Sequence, residues 1–208
     1  MIKIAWAPLY HHPLPENHRF PMEKYSLLPD QLVFEGTVSK DQFFIPTAVT
    51  ENEILLCHSK LYWNKLSINI AGGTHHAFSE RGEGFCLLND VAIATSVLLE
   101  EKTIKRALIV DLDVHQGNGT AEIFRTNPDI FTFSMHGKKN YPLHKEVSDL
   151  DIELEDGTSD DQYLSILFDQ LPKLIDKHKP DILFYQSGVD VLQTDKLGRL
   201  ALTIQVCR

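Results

Sequence analysis

The segment Ile109-Val110-Asp111-Leu112-Asp113-Val114-His115-Gln116-Gly117-Asn118-Gly119 constrains this chain more than any other. It opens in the apolar run 107–110, suited to a strand buried on both faces, and such strands belong to parallel sheets covered by helices. Similar short runs recur at 2–6, 67–71, 130–134 and 181–185. Helical patterns separate them. Residues 22–33 read as a helix interrupted at Pro29. Residues 89–99 carry Val91, Ala92, Ala94, Val97 and Leu98 on one face. A short helix is expected over 120–125. A long amphipathic one over 160–177 aligns Leu164, Leu167 and Leu171, with a kink or break expected at Pro172. Thr50-Glu51-Asn52-Glu53 has capping-box spacing and predicts a helical turn. Strands alternating with helices predict an α/β fold, a single domain over residues 1–208 with a largely parallel sheet flanked by helices.

In such sheets the functional side chains sit just past the carboxyl ends of the strands. Asp111, Asp113 and His115 are spaced by two, so on extended chain they project to one face. Burying two carboxylates and an imidazole there costs several kcal/mol each unless a cation compensates. A metal is the economical answer. A capping Asp beside a solvated loop His is the plainer alternative. An Asp-x-Asp magnesium site of a phosphohydrolase is a third, although imidazole suits zinc better than magnesium. A second strand end carries Gly72-Gly73-Thr74-His75-His76-Ala77, where the glycines permit a tight turn. Taken alone, the histidine pair fits a surface loop as well as a site. A third end carries Gln186-Ser187-Gly188-Val189-Asp190, and a lone Asp there usually caps a turn. Together the three segments supply Asp, His and Asp ligands plus a histidine pair. Three protein ligands with an open position is the catalytic form of a zinc site.

Composition narrows the classes further. The 208 residues are 43% hydrophobic and 24% charged, which is ordinary globular composition and excludes disorder, collagen and coiled coil. A net charge of −9 argues against nucleic-acid backbone binding and leans gently towards a cationic substrate. No apolar run approaches about 18 residues, so no membrane span or membrane partner is expected. The opening MIKIAWAPLY reads as a first strand rather than a signal peptide, and a cytoplasmic location is the expectation. Cys57, Cys86 and Cys207 are odd in number and fit reduced thiols in such a compartment.

Five segments then carry a family likeness. They are HRFPMEKYSLL from His18, GGTHHAFSERGEGFCLLNDVAIA from Gly72, ALIVDLDVHQGNGTAEIF from Ala107, FTFSMHGKKNYP from Phe131 and SGVDVLQTDKLGRLALT from Ser187. In this order the chain resembles the histone deacetylase superfamily, with its arginase/deacetylase fold, and is similar to the class IV-like bacterial branch. The resemblance implies zinc held by Asp113, His115 and Asp190, with His75 and His76 beside the metal-bound water. It implies that Asp111 orients His75 and that Asn118 orients His76, where many relatives have Asp. Neutral Asn should stabilise an imidazolium less, leaving His76 less basic. His76 is then the general base and His75 its electrostatic partner. Gly84, Phe85 and Tyr141 match the walls of a narrow tunnel for an acylated lysine. Asp111, Ser134 and backbone carbonyls near Asp113, His115 and Met135 match a structural K+ or Na+ site. Arg19 matches a position near an internal channel. His11, His12, His58, His136, His144 and His178 have no such match, so surface or capping roles are expected for them.

Two departures stand beside the likeness. The family has a Gly-rich loop ending in a tyrosine that holds the scissile carbonyl, and this sequence has no such motif. Losing one donor of that kind costs on the order of 100- to 1,000-fold in rate. The family also has a helical insertion after a segment like LCHSKLYWNKL, whereas here Leu66 abuts Ser67 directly. The fold is therefore expected to be incomplete, the sequence being either abridged or that of a degenerate member. Three functions stand: a zinc amide hydrolase acting on acylated lysine in proteins or on small acylated amines, a non-catalytic binding remnant, and a magnesium phosphohydrolase on Asp111 and Asp113.

Overall fold

A computed structural model describes residues 3–11, 13, 14, 16, 20–63 and 74–206. The strand expected over 67–71, the Leu66–Ser67 junction, Gly72, Gly73, His12, His18, Arg19 and Cys207 lie outside the described residues. Two compact units emerge, Met1–Thr50 and Glu51–Arg208.

In the first unit, β1 (Ile4–Ala5) pairs in parallel with β2 (Phe43–Phe44), and α1 spans Lys24–Phe34. The expected interruption at Pro29 does not occur. Proline lacks the N–H that would bond the carbonyl four residues back. That carbonyl belongs to Tyr25, and the Trp6 indole N–H donates to it at 2.7 Å. The lost helical bond is thus replaced from outside the helix.

The second unit contains α2 (Glu51–Ile54), α3 (Lys60–Trp63), α4 (Asp90–Glu100), β3 (Ala107–Asp111), α5 (Asn118–Phe124), β4 (Ile130–Gly137), β5 (Leu150–Leu154), α6 (Asp160–His178) and β6 (Ile182–Gln186). The four strands form one sheet in the order β5-β4-β3-β6, all pairs parallel. Every residue of β3 is buried, as its unbroken apolar run predicts. On one face Leu108, Val110, Phe133 and Met135 pack with Tyr163 and Leu174 of α6. On the other, Ala107, Ile109 and Ile130 pack with Ala92 and Ile93 of α4 and Phe124 of α5.

Local sequence fixes the helix ends. Asn89 caps α4 by accepting the Ala92 N–H at 3.0 Å. A Ser159/Gln162 capping box starts α6, and Lys179 in the left-handed region ends it. The helix runs without a break through Pro172. Pro172 is exposed and the carbonyl it leaves free belongs to the exposed Phe168, where water can satisfy it. The edge strand β5 has no counterpart in the sequence reading: its acidic LDIEL stretch carries a charge at alternate positions. Among the described residues, no helix is long and apolar enough to cross a membrane.

Candidate active site

The carboxyl ends of β3 and β6 lie side by side, with Asp111 in register with Gln186 and, on the other flank, with Ser134 of β4. Beyond β3 the chain turns through its own acidic side chains. Asp111 Oδ1 accepts the Asp113 N–H at 3.1 Å, and Asp113 Oδ1 accepts the His115 N–H at 2.8 Å. Such bonds hold a turn in place while leaving the other carboxylate oxygen to act elsewhere. Beyond β6, a short 3-10 turn over Val189–Val191 presents Asp190, whose Oδ1 accepts the Val114 N–H at 3.2 Å.

These turns bring Asp113, His115 and Asp190 together, one donor atom of each lying within 4.8 Å of the others. His115 Nδ1 is 2.9 Å from Asp113 Oδ1 and 3.0 Å from Asp190 Oδ2. Burial pushes the His115 pKa down, but the bonds and charges of the two carboxylates outweigh it and raise it to about 9. Burial likewise works to raise Asp113, yet its bond to His115 and the neighbouring histidine charge bring it down to about 2. Two carboxylates converging on one imidazole nitrogen form a donor set of the catalytic-zinc type, so the residues fit that ion. Each of the three is only partly buried, which leaves the cluster open on one side.

The histidine pair lies beside this cluster. His75 Nδ1 donates to Asp111 Oδ2 at 2.6 Å, and His76 Nδ1 donates to Asn118 Oδ1 at 2.7 Å. Their rings are 4.0 Å apart, with His76 6.0 Å from the His115 ring. Both are buried, so the surface-loop alternative is overturned. Burial alone would strip the proton from His75, but the Asp111 charge and bond raise its pKa to about 8. His76 is driven the other way, to about 3, by burial and then by the His75 charge, which outweigh the opposing Asn118 bond and Asp113 charge. One ring is held charged and its neighbour neutral, a division of labour typical of acid–base sites.

Backbone contact makes this packing possible. A Cβ on Gly119 would stand 2.2 Å from the Ala77 carbonyl oxygen, so the first turn of α5 approaches the histidine-bearing chain only because it has none. Gly84, at φ +55°, lies so close to His76 that a Cβ would come within 2.5 Å of the ring. Its nearest concern is therefore His76 rather than a substrate stem. Tyr141 stands perpendicular to His76 at 5.0 Å, 6.3 Å from the His115 ring, and its hydroxyl donates to Glu83. Phe85 occupies the turn joining Glu83 to Cys86 and is 61% exposed. Ser134 Oγ lies 2.9 Å from His136 Nδ1, and the Met135 side chain is in the core.

Two of the histidines without a family match do not have surface roles. His58 is buried and bonds through both ring nitrogens, and His136 is fully buried behind Ser134. His11 and His144 are exposed, while His178 is in the last turn of α6 with its ring against Phe131. Glu83 was missed by sequence reasoning. Its position two residues before Phe85 was the available signal.

Comparison with known proteins agrees with this architecture. The histone deacetylase domain family matches residues 62–208. An uncharacterized protein of Picosynechococcus sp. is 39% identical over 244 aligned positions, covering 96% of this chain and 81% of that protein. That alignment is longer than the chain, so part of the relative has no counterpart here. Histone deacetylase 3 of Oryza sativa is 31% identical over 188 positions, 85% of this chain but 36% of the relative. Among solved structures, the HDAC homolog from Aquifex aeolicus superposes with a TM-score of 0.83 at 22% identity, over 99% of this chain and 73% of the other. An HDAC homolog complexed with SAHA gives 0.84 at 22% identity, with the same coverage. At that identity the likeness establishes the shared fold. The chain belongs to the histone deacetylase family, and the α/β architecture read from its sequence is that family's fold. It spans about a third of the length of the rice relative.

Proposed function

We propose that this chain carries the chemistry of a metal-dependent amide hydrolase that removes acetyl or other acyl groups from lysine in proteins or from small acylated amines. One observation carries the reading. A neutral histidine on a neutral partner (His76–Asn118) and a charged histidine on a carboxylate (His75–Asp111) stand together beside the Asp113–His115–Asp190 cluster. An Asp-x-Asp magnesium site on Asp111 and Asp113 alone would not account for such a pair. Family membership and the SAHA complex of an HDAC homolog add support for an acyl-lysine-like ligand.

Asp113, His115 and Asp190 would hold zinc, which when bound supplies a Lewis acid that polarises an amide carbonyl and acidifies water. His76 has its Nδ1 proton committed to Asn118, so Nε2 is its free base. At that atom it takes the proton of the attacking water and returns it to the departing amine. A pKa of about 3 keeps His76 unprotonated at neutral pH, ready to accept. His75 stays charged on Asp111, stabilises negative charge on the reacting carbonyl, and resists protonation of its neighbour. Tyr141 and Phe85 would line the approach, Tyr141 nearest the base. The same reading assigns a K+ or Na+ ion to Asp111, Asp113, His115, Ser134 and Met135, supported by the register pairing of Asp111 with Ser134. Residues 1–208 as one catalytic domain and a cytoplasmic setting complete the proposal.

The test is zinc analysis combined with an acetyl-lysine peptide assay on the full chain. Stoichiometric zinc with turnover abolished by His76→Ala is the expected result. Zinc without turnover would move the reading to a binding remnant, and magnesium-dependent phosphate release indifferent to Asp190→Ala would overturn it.

A further inference from the structure

His58 is a buried polar residue that the chemistry above does not use. It is 2% exposed, and both ring nitrogens are engaged. The Asn89 backbone N–H donates to Nε2 at 3.1 Å, and Nδ1 lies 2.9 Å from the Phe78 carbonyl oxygen. A nitrogen that accepts carries no proton, so the neutral ring holds its proton at Nδ1 and donates it to Phe78. Two partners of opposite kind thus select one tautomer. Burial pushes the His58 pKa down, in keeping with a ring that stays neutral.

Phe78 lies two residues beyond His76. Along this turn, each of three carbonyls is held by a different donor. The His75 carbonyl accepts the Thr120 N–H at 3.1 Å, the Ala77 carbonyl accepts the Asn89 side chain at 3.3 Å, and the Phe78 carbonyl accepts His58. Asn89 also donates to Thr120 Oγ1 at 2.9 Å, which joins the cap of α4 to the first turn of α5. The chain around α3 continues the grip. The Ser59 N–H donates to the Ser79 carbonyl at 2.9 Å, and the Tyr62 hydroxyl donates to the Leu87 carbonyl at 2.7 Å. His58 and Tyr62, one helical turn apart, therefore hold both ends of the stretch 78–87, which contains Gly84 against His76.

We infer that His58 is a positioning residue, fixing the backbone at Phe78 so that His76 keeps its bond to Asn118 and its station beside His115. The chemistry it serves rests on the deacetylase reading, but the positioning can be measured without turnover. The experiment uses the zinc-loaded full chain and reads kcat, KM, zinc content and the imidazole 15N–1H signals of His76, assigned through His76→Ala. His58→Leu, which cannot bond, should lower kcat about 10- to 100-fold, as an ångström of misplacement does. Zinc content and KM should hold, and the His76 Nδ1 proton signal should weaken or vanish. His58→Asn, whose amide nitrogen stands where Nδ1 stood, should recover most of the lost kcat and the signal. Wild-type kcat in folded, zinc-loaded His58→Leu overturns the inference, as does loss of zinc in step with kcat without rescue by Asn. If the wild type itself shows no turnover, the deacetylase reading fails separately and the His76 signal decides: unchanged in His58→Leu, it overturns the positioning role. Should His58→Leu not fold, Tyr62→Phe removes a single bond of the same grip. It should lower kcat about three- to tenfold with zinc retained, and an unaltered kcat would overturn the inference.

Discussion

Gly119→Ala adds one methyl group at the point where α5 meets the histidine-bearing chain. The new Cβ would lie 2.2 Å from the Ala77 oxygen, 2.5 Å from the Ala77 carbon and 2.7 Å from the His76 carbonyl carbon. All three are backbone atoms, so no side chain can rotate away. Ordinary carbon–oxygen contact lies beyond about 3.3 Å, so α5 and the chain at 76–77 must separate by about 1 Å. That separation stretches the Thr120–His75 backbone bond, now 3.1 Å, and the Asn118–His76 bond, now 2.7 Å. Overpacking of this kind costs about 1–3 kcal/mol of stability. A 1 Å displacement of a catalytic base costs about 100-fold in rate. Urea unfolding of the metal-free chain and kcat/KM of the zinc-loaded chain read the two effects separately, and zinc stoichiometry should be unchanged because the ligands lie beyond β3 and β6. A variant with wild-type midpoint and wild-type turnover would refute the reasoning, since the clash would then have been absorbed at no cost.

Three further outcomes follow from the site. In the metal-free chain His75 has its pKa raised from 6.5 to about 8, so its pairing with Asp111 stabilises fully below pH 6.5 and is lost as pH rises through 8; denaturant midpoints should fall over that window, and Asp111→Asn should flatten the slope. Zinc binding at pH 7.5 should release a proton from His115, held near pKa 9 by its carboxylates, so calorimetric heats in buffers of different ionisation enthalpy should diverge, and heats equal in every buffer would refute the release. Glu83→Ala frees the Tyr141 hydroxyl and loosens a wall of the approach, so KM for an acyl-lysine peptide should rise about three- to tenfold with kcat nearly constant, and equal KM values would exclude a wall role for the bond.

The sequence revealed those elements whose period was unmixed. The run 107–110 is apolar at every position because both faces of β3 are covered, and no helical reading competes with it. Proline misled in α1: the local rule counts the missing N–H but cannot see what satisfies the orphaned carbonyl. At Tyr25 that is Trp6, 19 positions away. β5 was hidden because an edge strand with acidic residues at alternate positions looks like loop. Within the site, spacing by two was enough to group Asp111, Asp113 and His115, and the strand-end rule brought in Asp190, to which the family likeness gave a ligand's role. The role of His58 was not legible, since its partners Phe78 and Asn89 are 20 and 31 positions distant and both bonds are to backbone groups that leave no trace in composition.

The pairing of β6 with β3 has a consequence for how this molecule is assembled in time. Asp190 meets Val114 across 76 positions of chain, so the third member of the Asp113–His115–Asp190 cluster arrives only when β6 has found its place. Closing so long a loop is slow and entropically costly, and it must be completed before a cation can be held by all three side chains. The ion would then act as a late staple, binding after the sheet is built and slowing its unravelling. Zinc should accordingly lengthen the lifetime of the folded chain while leaving the rate of its formation almost untouched.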